Sequence, residues 1–211
     1  MVSKRKICYK KKLSENRKSS IDAEMSCFYG KEKREWLGGF QGGMMQYLGC
    51  HLIDLVVRLQ GVPDEIIPYN TSTTADGVNT KDLAFAVLKY PNGVSTVKSS
   101  MLEAGGYMRR RFAVNGEKGT TEIRPLEYYT EDSAKIKSKR KDFTPKDGWT
   151  GVGVQTECDT FDRYEGMLIA FAEMIQDKRC REIDLEMEAR VQRCLLAAGG
   201  IPCDFKGKIT L

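Results

Sequence analysis

Hydrophobic residues recur every three or four positions in three stretches of the chain, residues 42–61, 161–178 and 185–198. This period of about 3.6 residues is typical of a helix with one apolar side. The three stripes consist of Met44, Leu48, Leu52, Leu55, Val56 and Leu59, then Tyr164, Leu168, Phe171 and Ile175, and last Met187, Val191, Leu195 and Ala198. The pattern therefore predicts three amphipathic helices, each of which needs an apolar partner.

Between the first two of these helices the chain is divided into short segments rich in β-branched and aromatic residues. They predict strands at roughly 65–73, 82–90, 94–103, 109–115 and 120–125, and residues 20–29 predict an opening strand before the first helix. Pro91-Asn92-Gly93 and the Asn-Gly-Glu-Lys-Gly sequence at 115–119 are typical turns between hairpin strands. Because these gaps are too short for parallel crossovers, we expect an antiparallel meander. Residues 128–149 are polar and rich in lysine, and we expect a mobile excursion there.

Together these elements predict one α/β domain of the α+β type over residues 20–211, an open, mostly antiparallel sheet with helices packed on one face. The three striped helices would cover that face. On strand 94–103 the other face would carry Val94, Thr96, Lys98, Ser100 and Leu102. Such a mixed face often packs against another subunit, which makes a homo-oligomer one expectation and a solvated sheet the alternative.

Charge is distributed unevenly along the chain. The net charge is +5, but residues 1–20 contribute +7 and the remainder −2. We therefore interpret residues 1–19 as a basic tail or remnant connector on a nearly neutral body. Tyr9 is the only aromatic residue of this tail, so it lacks a stacking platform and we expect no nucleic-acid partner. No segment has the apolar length of a signal peptide or membrane span, so we expect no membrane partner.

The seven cysteines are odd in number and form no Cys-x-x-Cys pair. This spacing fits neither a zinc site nor a disulfide framework, so we expect no bound metal and a reducing, cytoplasmic compartment.

The only histidine of the chain, His51, lies in the first predicted helix. Tyr47 precedes it by one turn, so both side chains should project from the same side, and Asp54 could orient the imidazole. Because imidazole changes its charge near neutral pH, His51 is the candidate catalytic residue. A packed or solvated histidine is the alternative.

The sequence around His51, GGMMQYLGCHLIDL at residues 42–55, resembles the C-terminal domain of the Gfo/Idh/MocA family of NAD(P)-dependent oxidoreductases. In that family the corresponding helix has paired glycines, an Asp-x-Gly-x-His motif and then LIDL. The resemblance continues in the same order through residues 96–126, 163–179 and 185–200, and so covers roughly residues 20 to 201.

The resemblance implies that His51 contacts a small-molecule substrate of the sugar or polyol type and handles the proton of its hydroxyl group. Tyr47 stands where the family has an aspartate, so the substrate class and proton transfer differ from the family pattern or the site has decayed. Tyr47 and Trp36 would line the substrate site, although Trp36 as an aromatic cap on the helix is the alternative. The family also commonly forms oligomers through the open face of the sheet.

A dinucleotide needs a Gly-x-Gly-x-x-Gly turn between a strand and a helix, and this chain has none. Gly151-Val152-Gly153 lacks the third glycine, so we interpret it as a flexible loop. The Glu-Lys-Pro motif of the family is absent as well. The chain therefore resembles an enzyme that lacks its N-terminal Rossmann domain. We expect it to bind no cofactor alone and to be inactive without that domain, with NAD or NADP implied for the complete enzyme. A non-catalytic assembly module with a decayed active site is the alternative.

Overall fold

The structure, a computed structural model, describes residues 18–129, 136–158, 164–177 and 184–207. The strands are β1 Lys18–Glu24, β2 Glu65–Pro68, β3 Leu83–Tyr90, β4 Gly93–Ser100, β5 Arg111–Gly116, β6 Gly119–Ile123, β7 Tyr128–Tyr129, β8 Ile136–Lys137, β9 Lys139–Phe143 and β10 Val154–Glu157. The helices are α1 Lys31–Leu37, α2 Cys50–Gln60, α3 Gly106–Arg109, α4 Glu165–Asp177 and α5 Leu185–Ala198. One π-helical turn, Met45–Gly49, leads directly into α2.

Eight strands form one open sheet in the order β10-β9-β6-β5-β1-β4-β3-β2, and β7 pairs separately with β8. The predicted open, mostly antiparallel sheet is confirmed. The simple meander is wrong at one place, because β1 lies between β4 and β5 and runs parallel to β4. The connection from β1 to β4 passes through α1, α2, β2 and β3, so it is long enough for a crossover that the short hairpin gaps do not allow.

The prediction of a mobile excursion at residues 128–149 is wrong for residues 139–143. They form β9, which pairs with β6 on one side and with β10 on the other. The hydroxyl of Thr121 on β6 donates a hydrogen bond of 2.6 Å to Asp142. This part of the sheet is only half-buried. Its strands therefore keep charged side chains on both faces, and the apolar alternation that marks a strand is missing from the sequence.

The hydrophobic core lies between one face of the sheet and the helices α2 and α5. The sheet contributes Ile21, Ala23, Ala84, Ala86, Leu88, Val97, Phe112 and Val114, and the helices contribute Leu52, Ile53, Val56, Val57, Val191, Cys194, Leu195 and Ala198. Burial of a Leu, Ile or Val side chain stabilises a fold by about 1.5–3 kcal/mol. The sheet and these two helices therefore depend on one another for stability.

The apolar stripe of α2 is rotated from its predicted position. Ile53 and Val57 are fully buried, whereas Leu55, which the sequence assigned to the stripe, is 37% exposed. The π-helical turn at Met45–Gly49 explains the difference, because such a turn inserts an extra residue and shifts the phase of everything that follows.

Helix α4 does not cover the sheet, and the prediction that all three striped helices do so is wrong for this one. Its large apolar side chains, Met167, Leu168, Ile169, Phe171 and Ile175, are between 52% and 62% exposed. The stripe is present as predicted, but the period of a sequence determines only which side of a helix is apolar, not what that side contacts.

A buried ion pair fixes α1 against the segment that leads into β3. Arg34 and Asp82 are both fully buried, with 3.6 Å between Nη1 of Arg34 and Oδ2 of Asp82. Arg34 also donates to the carbonyl of Ala75, at 3.0 Å, and to the Asp76 carboxylate. Asp82 in turn accepts from the backbone N–H and the hydroxyl of Thr73, at 2.8 and 2.7 Å. Helix α1 and residues 73–82 are thereby one unit.

We predict that Arg34→Met lowers the free energy of unfolding by about 3–5 kcal/mol in urea denaturation, because the Asp82 carboxylate loses its buried counter-charge. Lys31→Gln is the matched control on the same helix. Its ion pair with Glu35 is exposed, so the change should stay within about 0.5 kcal/mol. A loss below about 1 kcal/mol for Arg34→Met would show that water screens the pair.

We also predict that Leu168→Ala changes the free energy of unfolding by less than about 0.5 kcal/mol, because that side chain is 60% exposed. Leu52→Ala removes the same atoms from the core and should cost about 2–5 kcal/mol. Similar losses for the two variants, measured by urea denaturation, would mean that α4 packs against the body of the protein.

Candidate functional site

Helix α1 and the turn before α2 bring four aromatic side chains together, and we call Tyr29, Trp36, Phe40 and Tyr47 the aromatic cluster. The ring centroids of Trp36 are 4.6 Å from Phe40 and 5.9 Å from Tyr47, and those of Tyr29 and Tyr47 are 6.2 Å apart. Trp36 and Phe40 are half exposed, whereas Tyr29 and Tyr47 pack against the core. The cluster therefore extends from the core to the surface.

The paired glycines allow this helix to begin where it does. Gly43 has a φ of +54°, and a Cβ atom there would lie 2.5 Å from the backbone oxygen of Lys81. The next residue, Met44, donates its N–H to that same oxygen at 2.8 Å. A side chain at position 43 would push the start of the helix off this contact, so the close approach requires glycine.

His51 lies on the outer side of α2, opposite Leu52 and Ile53, and its side chain is exposed. Within the described residues it makes no side-chain hydrogen bond, ion pair or ring contact. It follows Tyr47 by four residues, about 6 Å along the helix axis. The structure thus brings Trp36 and Tyr47 into contact and leaves His51 one turn further along with both ring nitrogens available.

Asp54 does not orient the imidazole in this structure. Its Oδ1 accepts a hydrogen bond of 2.6 Å from Nε of Arg58, one turn further along the same helix. Arg58 also binds Glu188 of α5. Because residues four apart on a helix are neighbours, Arg58 outcompetes His51 for this carboxylate.

The sequence analysis missed Lys33, which contacts the aromatic cluster. Its Nζ lies 3.6 Å from the ring centroid of Trp36 and 5.1 Å from that of Tyr47. The helical spacing of Lys33 and Trp36, three residues apart, is the signal that would have made them neighbours.

The hydroxyl of Tyr29 stays protonated near neutral pH. Burial, a hydrogen bond with Tyr47 and the nearby Cys27 all raise the pKa of Tyr29 above its ordinary value. Burial likewise raises the pKa of the Cys27 thiol. The Tyr29 hydroxyl and the Cys27 thiol can therefore form hydrogen bonds but do not act as bases near neutral pH.

The three arginines at positions 109–111 form ion pairs with glutamates. Arg109 pairs with Glu103 at 2.9 Å, and Arg110 and Arg111 pair with Glu127 and Glu122 at 2.6 Å each. They are held in the sheet region and do not form a phosphate site.

The residues present do not fit a dinucleotide. Gly151 and Gly153 lie in a loop that leads into the edge strand β10 and not into a helix. Within the described ranges two strands are followed by glycine and a helix, β1 by Gly30 and α1, and β4 by Gly105, Gly106 and α3. These helices have only seven and four residues, and neither connection has the Gly-x-Gly-x-x-Gly spacing that holds a pyrophosphate. The same part of the chain has no group of three or more His, Cys, Asp or Glu side chains arranged for a metal ion. None of its helices is both long and apolar enough to span a membrane.

Comparison with known proteins identifies the family. Residues 18–122 match the sequence model described as the GFO/IDH/MocA C-terminal domain. No curated protein matches the sequence.

Solved structures share the fold at low sequence identity. A 3-ketoreductase from Actinomadura kijaniata, in complex with NADP and TDP-benzene, matches with a TM-score of 0.71 and 12% identity over 95% of this chain and 58% of its own. A proposed NADPH-dependent oxidoreductase from Desulfitobacterium hafniense matches with a TM-score of 0.66 and 17% identity over 93% of this chain and 58% of its own. The UDP-N-acetylglucosamine 3-dehydrogenase of Acidithiobacillus ferrooxidans matches with a TM-score of 0.60 and 16% identity over 93% of this chain and 57% of its own.

This chain thus spans less than three fifths of the length of each of these structures, 57% or 58%. The family match over residues 18–122 and the shared fold together show that the chain belongs to the Gfo/Idh/MocA oxidoreductase family, as a C-terminal domain.

Proposed function

We propose that this chain is the substrate-binding and oligomerisation part of an NAD(P)-dependent oxidoreductase that acts on a hydroxyl group of a sugar, polyol or similar compound. One observation carries the proposal: the exposed, unpaired imidazole of His51 follows Tyr47, a member of the aromatic cluster, by one helical turn. A polyhydroxylated ligand offers hydroxyls for the imidazole and C–H surface for the rings.

His51 would hold the hydroxyl of the substrate. A neutral imidazole has one N–H donor and one acceptor nitrogen, so it can accept the hydroxyl proton when the carbon is oxidised and return it when the carbonyl is reduced. Tyr47 would donate or accept a hydrogen bond through its hydroxyl, and Trp36 would line the site.

The dinucleotide would bind to a separate Rossmann domain. Two observations support this assignment: the described residues offer no pyrophosphate cradle, and this chain spans only 58% of the Actinomadura enzyme, whose structure contains NADP. We therefore assign no cofactor to this chain alone, and NAD or NADP to the complete enzyme.

The structural neighbours support a sugar-type substrate. One is named a 3-ketoreductase and another a UDP-N-acetylglucosamine 3-dehydrogenase. Both names describe redox chemistry at a hydroxyl or keto position, which is the reaction class we propose for the complete enzyme here.

A non-catalytic assembly module is the second candidate, and Tyr47 is the observation that favours it. Where the family has an aspartate, this chain has an aromatic ring packed against Tyr29 and Trp36. A packed aromatic ring stabilises a fold without any chemistry.

The open face of the sheet is the surface we propose for self-association. Val97 faces the helices and is fully buried, so it takes no part. The open face has an apolar region around Phe85, Val87 and Val94, and a charged region where Lys98 pairs with Glu24 at 2.7 Å. An apolar region bordered by ion pairs is typical of subunit interfaces.

We predict that Val94→Glu shifts the chain from dimer or higher oligomer to monomer in sedimentation equilibrium, because Val94 is 46% exposed on the open face. Leu55→Glu is the matched control, since that leucine is 37% exposed on the helical side of the sheet. A wild-type chain that stays monomeric at high micromolar concentration would contradict the proposal.

For the complete enzyme, with the nucleotide-binding domain supplied in cis or in trans, we predict that His51→Ala lowers turnover by about 10²–10⁴-fold. Folding should be unaffected, because the imidazole is exposed and makes no contact with the core. Steady-state kinetics and thermal unfolding of the same samples measure both effects.

Two further variants complete this test. Leu55→Ala, on the same outer side of α2, should leave turnover unchanged. Tyr47→Phe should reduce turnover as strongly as His51→Ala if the hydroxyl takes part in the chemistry, and only slightly if the ring is a wall. Full activity of His51→Ala would contradict the catalytic assignment and favour the assembly module.

A further inference from the structure

We propose that Lys33 binds an anionic group, a carboxylate or a phosphate, of the ligand that occupies the aromatic cluster. The proposal rests on the substrate site described above and narrows its ligand from polyhydroxylated compounds in general to those that carry a negative charge.

The position of Lys33 differs from that of the other basic side chains of α1. Lys31 pairs with Glu35 at 3.7 Å, and Arg34 is buried against Asp82. Lys33 forms no ion pair with any described residue, although it is half-buried. Its ammonium group is held instead by aromatic faces, 3.6 Å from the centroid of Trp36 and 5.1 Å from that of Tyr47.

This arrangement leaves the charge of Lys33 available. Ring faces attract a cation through their quadrupole, but they carry no net charge and do not neutralise it. An ammonium has three N–H donors, and two ring faces on one side cannot satisfy donors that point away from them. The rings therefore fix the cation in place and leave part of it to water or to a ligand.

An anion is the ligand that suits such a group. A hydrogen bond between ammonium and carboxylate or phosphate is shorter and stronger than one to a neutral hydroxyl. Lysine acts there as a positioned point charge. A ligand whose ring lies on the exposed face of the cluster would bring an attached carboxylate or phosphate within reach of Lys33, while its hydroxyls approach His51.

Trp36 makes the proposal testable on the chain alone. The chain has two tryptophans, Trp36 and Trp149. In a Trp149→Phe background all tryptophan emission comes from the ring on which Lys33 rests. Gluconate, glucose 6-phosphate and glucose are titrated at constant chloride concentration. We expect a saturable change in emission, with the better-bound anion at least about tenfold tighter than glucose. If gluconate binds more tightly, the preferred group is a carboxylate, and if glucose 6-phosphate binds more tightly, it is a phosphate.

Variants separate binding from structure. Lys33→Gln should lose the preference for the anion, Lys33→Arg should keep it, and Lys31→Gln should behave as the parent. Thermal unfolding of each variant shows that it is folded. Equal affinity for glucose and both anions, or an unchanged preference in Lys33→Gln, would overturn the role of Lys33 and leave the substrate site intact. If none of the three compounds binds, the substrate site at the cluster fails together with it.

Discussion

The buried ion pair between Arg34 and Asp82 determines where helix α1 lies, and the candidate site depends on it. A helix of seven residues has little stability of its own, because nucleation costs more than so few hydrogen bonds return. Asp82 directly precedes β3, so the pair joins this weak helix to the rigid sheet. Lys33 and Trp36 lie on the same short helix as Arg34, so the ion pair that holds the helix also determines where these two side chains lie.

The π-helical turn before α2 is the second feature on which the candidate site depends, because Tyr47 lies within it. Tyr47 lies within this turn and packs against Tyr29, whereas His51 lies just after it and is exposed. Turns of this kind are frequent at functional sites.

The sequence predicted what local chemistry controls and missed what distant contacts control. The hairpin at Pro91-Asn92-Gly93 was found because turn residues act within four positions. The pairing of β1 with β4 was not predicted, because it joins residues that lie about seventy positions apart in the sequence. His51, Tyr47 and Trp36 were proposed as site residues from the family resemblance, whereas the contact of Lys33 with Trp36 depends on residues 31–37 being helical. The apolar stripe of α4 gives no indication in the sequence that these side chains are exposed.

The parallel pairing of β1 has a consequence for the order in which the chain can fold. Residues 18–24 are synthesised before both of their neighbours in the sheet, β4 and β5, which lie within residues 93–116. During synthesis both edges of β1 therefore stay unpaired until the β3–β4 and β5–β6 hairpins have been made. Such non-local pairing is slow, and unpaired strand edges favour aggregation. Strand β1 is therefore made before both of its partners but is among the last of the described strands to be paired, and its pairing joins the two halves of the sheet.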